Sequence, residues 1–460
     1  MRRDDGLAVP ASRQALGDTG EPMKIDLSYG KSVLGVAMPA GARPTMIRKP
    51  SFPAPPPATT LIDGALATPI GCATLEQLAR GKRSACILIC DITRPVPNAL
   101  FLQPMIRRLM AAGIPAANIT VLVATGLHRP NEGAELAELV GDPWVLGAVR
   151  VENHFAQDDA AHADLGFTRT RRTPVQLDRR FVAAELKIAT GLVEPHFMAG
   201  YSGGRKVVAP GVAHHETIRT FHSARFMEDP AAVQCNLERN PLHEEQLEIV
   251  RMLGDVYALN TVLDEHRQLV YANFGEIIAS HLAAVAFTRA YTEIPVGRRF
   301  RTIVTSSAGY PLDQTYYQTV KGMVTPLDIL EPGGTLIVAS QCAQGLGSVH
   351  FREAQKKLIA MGPDAFLATL QRKALADVDE WQTEMQLKPM RLGSIELYSD
   401  GLSDADHALT GVARASSVED AIARSIAAHG DPEIAVIPEG PYVVPFARAP
   451  QSDARAAGAT

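Results

Sequence analysis

The sequence predicts an α/β fold made of two αβα domains, each built on a mostly parallel sheet. Short apolar runs alternate with amphipathic segments along the chain, and this alternation is typical of parallel sheets that helices cover on both faces. The chain has 460 residues, which is more than one hydrophobic core usually supports. Its hydrophobic content of 46% is sufficient to fill more than one core.

The first series of strands and helices begins at Met23, after a leader rich in glycine, proline, serine and charge. Buried strands are predicted at residues 85–90, 119–124, 149–153 and 181–189. Helices are predicted at residues 98–112 and 131–140. The proline-rich stretch at 50–60 is expected to be an extended surface connection.

The second series begins near Arg301. Its strands are predicted at residues 302–306, 335–340, 394–397 and 433–437, and its helices at 313–322, 351–361, 363–375 and 418–429. A helix over residues 274–292 would connect the two series. We therefore expect an N-terminal domain at residues 23–296, a C-terminal domain at 297–447, and disordered tails at 1–22 and 448–460.

Charge and cysteine content restrict the class of partner. The 45 basic and 50 acidic residues give a formal net charge of −5, which argues against a nucleic-acid partner and favours small molecules. The five cysteines form no C-x-x-C pair, so neither a disulfide framework nor a zinc ribbon is indicated. The N-terminus lacks the apolar region of a signal peptide, and no apolar run reaches membrane-spanning length. We expect a cytoplasmic protein without a membrane partner.

Polar side chains follow three of the predicted strands, at the points where those strands end. The strand predicted at 181–189 leads into the segment E-P-H-F-M-A-G-Y-S-G-G-R-K, residues 194–206. Ligands of open α/β sheets bind at the carboxyl ends of strands, so these side chains are expected at one edge. They are Asp91 and Arg94 after strand 85–90, His128 after strand 119–124, and Glu194, His196 and Lys206 after strand 181–189.

The C-terminal domain repeats this pattern. Its first strand leads into the segment Y-P-L-D-Q-T-Y-Y-Q-T-V-K-G, residues 310–322, which offers Tyr317, Gln318 and Lys321. A cleft between the two domains, lined by residues of both, is therefore the predicted active site.

These residue types suit the chemistry of an acidic substrate. Arg94 and Lys321 could hold a carboxylate, and His128 and His196 could act as general base and acid. Lys206 offers an amine as a point charge or a nucleophile. His222, which follows a predicted short helix, could be a metal ligand.

Each feature also has a purely structural interpretation. Asp91 and Thr93 could cap the following helix, and Gly203 and Gly204 could form only a turn. Single histidines after strands are often buried hydrogen-bonding groups. His243 has no supporting neighbours in the sequence. Convergence of such residues at several strand ends favours a site.

The motifs taken together resemble those of the nickel-dependent lactate racemase family. The resemblance extends in order from about residue 23 to residue 445. It is carried by D-I-T-R-P-V-P-N at 91–98, A-T-G-L-H-R-P at 124–130, the segments 194–206 and 310–322, and F-H-S at 221–223.

The resemblance implies a nickel pincer nucleotide, pyridinium-3,5-bisthiocarboxylic acid mononucleotide nickel, attached covalently to Lys206. Proteins that synthesise this cofactor would be maturation partners. By motif position, His222 would ligate nickel, and His128 and His196 would be the acid/base pair. The remaining positions implied are cofactor contacts at Ser202, Gly203 and Gly204, substrate contacts at Arg94, Lys321, Gln318 and Tyr317, and supporting roles for Asp91 and Glu194.

The resemblance also implies a mechanism. One histidine takes the hydroxyl proton while the α-hydrogen moves as hydride to the cofactor ring, and the resulting 2-keto acid receives the hydride on its other face. The substrate would be lactate or a larger hydroxy or sugar acid. One departure stands at Arg169 to Pro174, where Arg172 replaces an expected glycine. It indicates either a solvated loop or a more anionic substrate.

Two alternative functions use the same residues. The first is a non-catalytic relative that binds a hydroxy acid or nucleotide, although retention of the lysine and the three histidines argues against it. The second is a zinc-dependent hydrolase in which the histidines bind the metal.

Overall fold

The computed structural model describes residues 23–448, which form two compact units. The N-terminal unit comprises residues 51–290 with 374–376, and the C-terminal unit comprises the described residues of 23–50, 291–373 and 377–448. The predicted tail at 1–22 and nearly all of the one at 448–460 lie outside the described residues. The α/β class with mostly parallel sheets is confirmed.

The strands are numbered in chain order. They are β1 Lys24–Tyr29, β2 Ser32–Ala37, β3 Arg43–Met46, β4 Ala85–Cys90, β5 Ile119–Ala124, β6 Arg150–Asn153, β7 His162–Phe167, β8 Pro174–Asp178, β9 Leu186–Leu192, β10 Pro195–His196, β11 Gly200–Tyr201, β12 Tyr257–Leu263, β13 Leu269–Glu276, β14 Glu293–Pro295, β15 Phe300–Ser306, β16 Leu330–Ala339, β17 Ser394–Tyr398, β18 Ala413–Arg414, β19 Glu433–Ile437 and β20 Val444–Phe446.

The α-helices are numbered in the same way. They are α1 Ala58–Ala67, α2 Leu75–Ala79, α3 Asn98–Ala111, α4 Gly133–Val140, α5 Pro143–Ala148, α6 Arg179–Ala183, α7 Arg205–Val208, α8 His215–Phe221, α9 Ala224–Met227, α10 Pro241–Met252, α11 Ile277–Thr292, α12 Tyr316–Val324, α13 Val349–Met361, α14 Pro363–Gln371, α15 Glu380–Leu392, α16 Asp404–Thr410 and α17 Val418–His429. Within residues 23–448, none of these helices has both the length and the apolar character needed to cross a membrane.

A six-stranded sheet forms the centre of the N-terminal unit, in the order β13-β12-β9-β4-β5-β6. All neighbours are parallel except β12 and β13. One face packs on α1, α2 and α3, through strand residues such as Ile87 and Ile188. On the other face, a Cβ added at Gly191 would lie 2.8 Å from Val207 of α7. Close backbone packing therefore places α7 directly against β9.

The C-terminal unit contains a second six-stranded sheet, in the order β18-β17-β16-β15-β19-β3. Every pair of neighbours in it is parallel. The hairpin of β1 and β2 packs on this sheet, and its Leu27 and Val36 share a core with Val304 and Ile337. Helix α17 adds Ile422 to the same core.

Residues 23–50 correct the predicted domain boundaries, because they belong to the C-terminal unit rather than to an N-terminal domain of 23–296. Strand β3 pairs with β19 at the sheet edge, from Arg43 opposite Glu433 to Met46 opposite Val436. Local sequence shows that the segment is apolar and extended. It does not show which of two similar sheets will bury it.

The predicted strand at 181–189 is also wrong in its first half. Asp178 accepts a hydrogen bond from the Arg180 backbone N–H at 3.0 Å and starts the short helix α6, so the strand begins only at Leu186. Similarly, the helix predicted at 274–292 starts later than expected. Phe274 lies in strand β13, and α11 starts only at Ile277. In both places one apolar run serves two buried elements, and hydrophobicity alone does not mark the change.

The β7–β8 hairpin explains the arginine at a position where a glycine was expected. Arg172 has a φ of 56°, in the left-handed region that glycine adopts without strain. Its guanidinium stacks on the ring of Phe167, 4.8 Å from the ring centroid. The neighbouring Arg171 donates to Glu244 of α10 at 2.8 Å. Arg172 is exposed and both arginines contact groups of the protein itself, which is compatible with a solvated loop. The more anionic substrate stays a prediction.

Candidate active site

Three adjacent strands bring the predicted residues of the N-terminal unit to one edge. Strands β9, β4 and β5 are neighbours in the sheet and run parallel. Their carboxyl ends therefore lie side by side, and the segments that follow them meet there. The structure pairs Asp91 with His128, and Arg94 with Glu194.

The first pair is a buried carboxylate with an exposed imidazole. The Nδ1 of His128 lies 2.5 Å from a carboxylate oxygen of Asp91, and 60% of the His128 side chain is exposed against 7% for Asp91. Burial would raise the pKa of Asp91, but its bonds to His128 and Thr93 outweigh this and lower it. The ionised carboxylate holds the proton of the neutral imidazole on Nδ1, so that Nε2 is the basic nitrogen.

Asp91 and Thr93 do not cap the next helix, so that interpretation is wrong. Helix α3 begins only at Asn98, and no side chain caps its N-terminus. Instead, Asp91 accepts the Thr93 hydroxyl at 2.5 Å and the Thr93 backbone N–H at 3.3 Å. These bonds fix the carboxylate in a tight turn after β4 and direct its second oxygen to His128.

The second pair joins two of the strand ends. Arg94 donates to a carboxylate oxygen of Glu194 at 2.5 Å, and both side chains are partly exposed. The backbone N–H of Glu194 in turn donates to the Ser202 hydroxyl at 3.0 Å, and that hydroxyl donates to the Leu192 carbonyl at 2.7 Å. The loop is thus closed on itself by Ser202, next to the arginine that was predicted to bind a carboxylate.

Gly203 and Gly204 are required by the backbone itself. Both have positive φ, 76° and 49°. A Cβ on Gly203 would lie 2.7 Å from Val193, and one on Gly204 would lie 2.8 Å from the ring of His281. Positive φ and close packing, against Val193 and against His281 of α11, therefore account for both glycines, as the turn interpretation proposed. Contact of this loop with a cofactor stays a prediction.

His196 has the opposite tautomer to His128. Its Nδ1 accepts the backbone N–H groups of Met198 and Ala199, at 3.3 and 3.2 Å. A neutral imidazole that accepts at Nδ1 carries its proton on Nε2. The ring, which is 9% exposed, is consequently a donor at Nε2, whereas His128 is an acceptor at the same atom.

Lys206 and His222 lie near one another. The Nδ1 of His222 donates to the Ile218 carbonyl at 2.9 Å, so the neutral ring has its lone pair on Nε2. Burial lowers the pKa of His222 to about 4, the bond to Ile218 opposes this, and the charge of Lys206 lowers it further. The charge of Lys206 also reaches the Cys90 thiol at the end of β4. His222 is therefore an uncharged imidazole, of the type that ligates metals.

The residues predicted in the C-terminal unit share one helix. Tyr317, Gln318 and Lys321 lie in the first two turns of α12, at spacings of three and four residues that place Lys321 beside both of the others. The Gln318 side-chain oxygen is buried and has no hydrogen-bond partner within residues 23–448. Buried amide oxygens are nearly always paired, so this atom suits a ligand that donates to it.

Sequence reasoning missed a set of buried residues behind the 194–206 loop. Arg205 is 1% exposed, and its Nε–H donates to Nδ1 of His243 at 2.9 Å. The fold therefore gives His243 a partner that its neighbours in the sequence do not provide. The only available signal was the position of Arg205 inside the motif, because the side chains that contact its guanidinium, His243 and His281, are 38 and 76 residues away.

The structure does not bring the predicted histidines together as a zinc site. Among residues 23–448, the one group of three or more metal-type ligands within 4.8 Å of one another is Asp159, His214 and His215. There, His214 accepts the Glu216 N–H at Nδ1 and lies 2.9 Å from Asp159 through Nε2. The cap bond keeps the proton on Nε2, so this contact is a hydrogen bond to the carboxylate.

The fold and the strand-edge residues define an enzyme of the α/β class that acts on a small molecule. Comparison with known proteins gives the family. Residues 29–234 match the lactate racemase N-terminal domain, and residues 298–444 match the lactate racemase C-terminal domain. This chain belongs to the lactate racemase family, whose named members are isomerases.

Two curated relatives are similar over much of their length. The lactate racemase of Thermoanaerobacterium thermosaccharolyticum is 30% identical over 438 residues, which is 91% of this chain and 98% of that protein. The lactate racemase of Lactiplantibacillus plantarum is 34% identical over 290 residues, which is 63% of this chain and 68% of that protein.

Solved structures support the same fold. The apoprotein of the T. thermosaccharolyticum lactate racemase superimposes with a TM-score of 0.85 at 26% identity, covering 92% of this chain and 100% of that one. A Thermotoga maritima protein gives a TM-score of 0.61 at 16% identity, over 86% of this chain and 99% of that one, and shows the fold alone.

Proposed function

We propose that this chain inverts the C2 stereocentre of a 2-hydroxy acid, as a racemase or epimerase, with a nickel pincer nucleotide attached to Lys206. The observation that carries the proposal is the group of side chains at one edge of the N-terminal sheet. There, Asp91 contacts His128, and the charge of Lys206 reaches His222.

The residues present fit this cofactor. His222 is neutral, and its Nδ1–H bond to Ile218 leaves Nε2 as the ligand atom, which suits nickel beside sulfur donors. The amine of Lys206 would form the covalent attachment. When bound, the cofactor supplies a pyridinium ring that accepts hydride from the substrate C2.

The chain's own histidines move the protons. His128 takes the hydroxyl proton at Nε2, because Asp91 holds its other nitrogen and stabilises the imidazolium that forms. His196 offers its proton at Nε2 to a substrate oxygen, because two backbone N–H groups occupy Nδ1. The pair thus provides one acceptor and one donor in the state shown.

Arg94, Lys321, Gln318 and Tyr317 bind the substrate in this proposal. A guanidinium has five N–H groups, so Arg94 can bind Glu194 and a substrate carboxylate together, and Glu194 would fix its orientation. The buried Gln318 oxygen would accept a substrate hydroxyl. These residues recognise a carboxylate and the C2 hydroxyl. Lactate, the substrate named for both relatives, and larger hydroxy or sugar acids therefore all fall within the proposal.

Mass and metal analysis test the cofactor. Protein made in cells that build the nickel pincer nucleotide should contain nickel and carry a mass adduct that peptide mapping places on Lys206. Lys206→Arg keeps the charge and is expected to lose the adduct and the racemase activity together. Active protein that carries zinc and no adduct would overturn the proposal, and so would a fully active Lys206→Arg variant.

The substrate is found by loss of optical purity. Single enantiomers of lactate, larger 2-hydroxy acids and sugar acids are incubated with the matured protein, and the appearance of the other C2 configuration is followed by chiral chromatography. We expect inversion of at least one of these acids. Matured, nickel-loaded protein that inverts none of them would support the non-catalytic binding alternative instead.

A further inference from the structure

We propose that Arg205 is a positioning residue for this reaction: its buried guanidinium fixes the 196–206 loop, so that His196 keeps its proton on Nε2 and Lys206 keeps its orientation. The inference rests on the proposed function for its catalytic consequence. Its structural part is carried by the hydrogen bonds of the loop alone.

The guanidinium of Arg205 collects carbonyl groups from the loop. Its Nη2 donates to the Ala199 carbonyl at 2.9 Å, and its Nη1 donates to the Tyr201 and Gly203 carbonyls at 2.8 and 3.3 Å. Its Nε donates to His243 at 2.9 Å. Four of its five N–H groups thus have acceptors, three of them in the seven residues that precede Lys206.

His281 contacts a fourth carbonyl of the loop, that of Ser202. Its Nε2 lies 2.9 Å from the Ser202 carbonyl and 3.0 Å from Nη1 of Arg205. A carbonyl only accepts, so a proton on Nε2 satisfies Ser202 and leaves both Nη1 hydrogens for Tyr201 and Gly203. This assignment gives each of the four loop carbonyls, those of Ala199, Tyr201, Ser202 and Gly203, a donor. The contact between Nη1 of Arg205 and Nε2 of His281 is then not a hydrogen bond.

The guanidinium of Arg205 is a buried charge whose hydrogen bonds hold loop carbonyls in place. It is 1% exposed, and within residues 23–448 it makes no ion pair with a carboxylate. Burial lowers the pKa of Arg205 to about 9, and burial together with its charge lowers those of His243 and His281. Both histidines are therefore neutral. Burying a charge without a counter-ion costs free energy. Here the charge-assisted hydrogen bonds to the backbone carbonyls offset that cost and fix the loop.

The loop connects Arg205 to the proton of His196. The Ala199 N–H donates to Nδ1 of His196, while the Ala199 carbonyl accepts from Arg205. The Met198 carbonyl, in the same peptide unit as the Ala199 N–H, accepts from Asn240 at 2.8 Å. Asn240 thus holds the peptide unit that carries the Ala199 N–H, and Arg205 holds the unit that follows it. With the Arg205 bond lost, Asn240 alone restrains this N–H, which then leaves Nδ1 part of the time and lets that nitrogen take the proton.

The decisive experiment compares Arg205→Lys with Arg180→Lys in the full chain. Lysine keeps the charge but loses the planar fork at both sites. Arg180 is the matched control, because it bonds Asp178, Glu152 and the Asn153 carbonyl in the same unit without contacting the loop. The first readout is ¹⁵N NMR of labelled histidine in cofactor-free protein, in which His196→Gln identifies the His196 signals.

We expect wild type and Arg180→Lys to show His196 protonated at Nε2, and Arg205→Lys to show a mixture of tautomers. In the matured enzyme, Arg205→Lys should lower kcat by about 100-fold, the effect of misplacing a catalytic group by about 1 Å, with KM within about threefold. Arg180→Lys should change kcat by less than about threefold.

A second pair of variants covers failure of Arg205→Lys to fold. His243→Gln keeps an acceptor for the Arg205 Nε–H, and His243→Leu removes it. Of these two variants, only His243→Leu is expected to change the tautomer of His196. A His196 spectrum that is unchanged in Arg205→Lys and in His243→Leu would overturn the positioning role, whatever the activity. Absence of an adduct on Lys206 in wild type would overturn the proposed function instead, and the tautomer result would still decide the role of Arg205.

Discussion

Replacement of Asp91 by asparagine tests the proton acceptor of the site. The Asp91 carboxylate accepts the Thr93 hydroxyl and backbone N–H on one oxygen, and His128 Nδ1 contacts the other at 2.5 Å. Asparagine can keep the Thr93 bonds with its oxygen. It then presents an NH₂ group to His128, and the imidazole must accept there and carry its proton on Nε2. The variant thus keeps the shape of the pair and reverses the tautomer.

The size of the effect follows from the burial of the two partners. A hydrogen bond to a charged group contributes about 1.5–3 kcal/mol, and about 1.4 kcal/mol corresponds to a factor of ten. Because the His128 side chain is 60% exposed, solvent screens the interaction, and the lower part of that range applies. We expect kcat/KM to fall by about 10- to 50-fold.

The assay follows interconversion of the two enantiomers of the identified substrate in both directions. Enantiomers have equal free energies, so kcat/KM must fall by the same factor each way, which checks the measurement itself. Thr93→Val is the control. It removes one hydrogen-bond donor to the Asp91 carboxylate but leaves that charged carboxylate against His128, so kcat/KM should fall by about fivefold or less. An Asp91→Asn enzyme within threefold of wild type would refute the assignment of His128 as the base.

The other predictions concern stability and the arginine loop. Gly204→Ala, which places a Cβ 2.8 Å from His281, should cost about 2–3 kcal/mol in urea unfolding, whereas Gly133→Ala, with positive φ but nothing within 4 Å, should cost about 1 kcal/mol; equal losses would contradict the packing argument. Arg172→Gly should leave stability within about 1 kcal/mol and kcat/KM within about twofold, because relief of strain offsets the added chain entropy; a tenfold loss of kcat/KM would show that Arg172 contacts substrate. Burial lowers the pKa of His243 from 6.5 to about 3, so from pH 6.5 downward the unfolded chain binds a proton that the folded chain does not, and stability falls. Between pH 7 and pH 5, wild type should therefore lose about 2 kcal/mol more than His243→Gln, and equal losses would exclude this linkage.

Continuous apolar runs allowed several buried strands to be predicted from sequence, among them two of the three strands that lead into the site. The predicted bounds of β4, β5 and β19 equal those in the structure, because parallel strands buried on both faces read as unbroken hydrophobic segments. Helix α17 was also predicted to the residue, since Ser417 caps its start and Gly430 ends it in the left-handed conformation.

Two of the failures share one physical cause, which is that contacts distant in sequence decided the outcome. Residues 23–50 joined the C-terminal sheet through β3 and β19, which are almost 400 residues apart. The strand predicted at 181–189 failed for a local reason, because Asp178 accepts the Arg180 backbone N–H two residues along and starts α6. The buried side chains that contact Arg205, His243 and His281, come from α10 and α11, and no local pattern marks them.

The sequence by itself determined the class of fold, the family, and the set of residue types that follow β4, β5 and β9. Those properties depend on local hydrophobic pattern and on motifs within short segments. Only the tertiary structure decided which nitrogen of each histidine carries the proton. Asp91 accepts from His128 and keeps its proton on Nδ1, two backbone N–H groups leave His196 protonated at Nε2, and Ile218 leaves the His222 lone pair on Nε2. A tautomer depends on the hydrogen-bond partner at the other ring nitrogen, and folding alone supplies that partner.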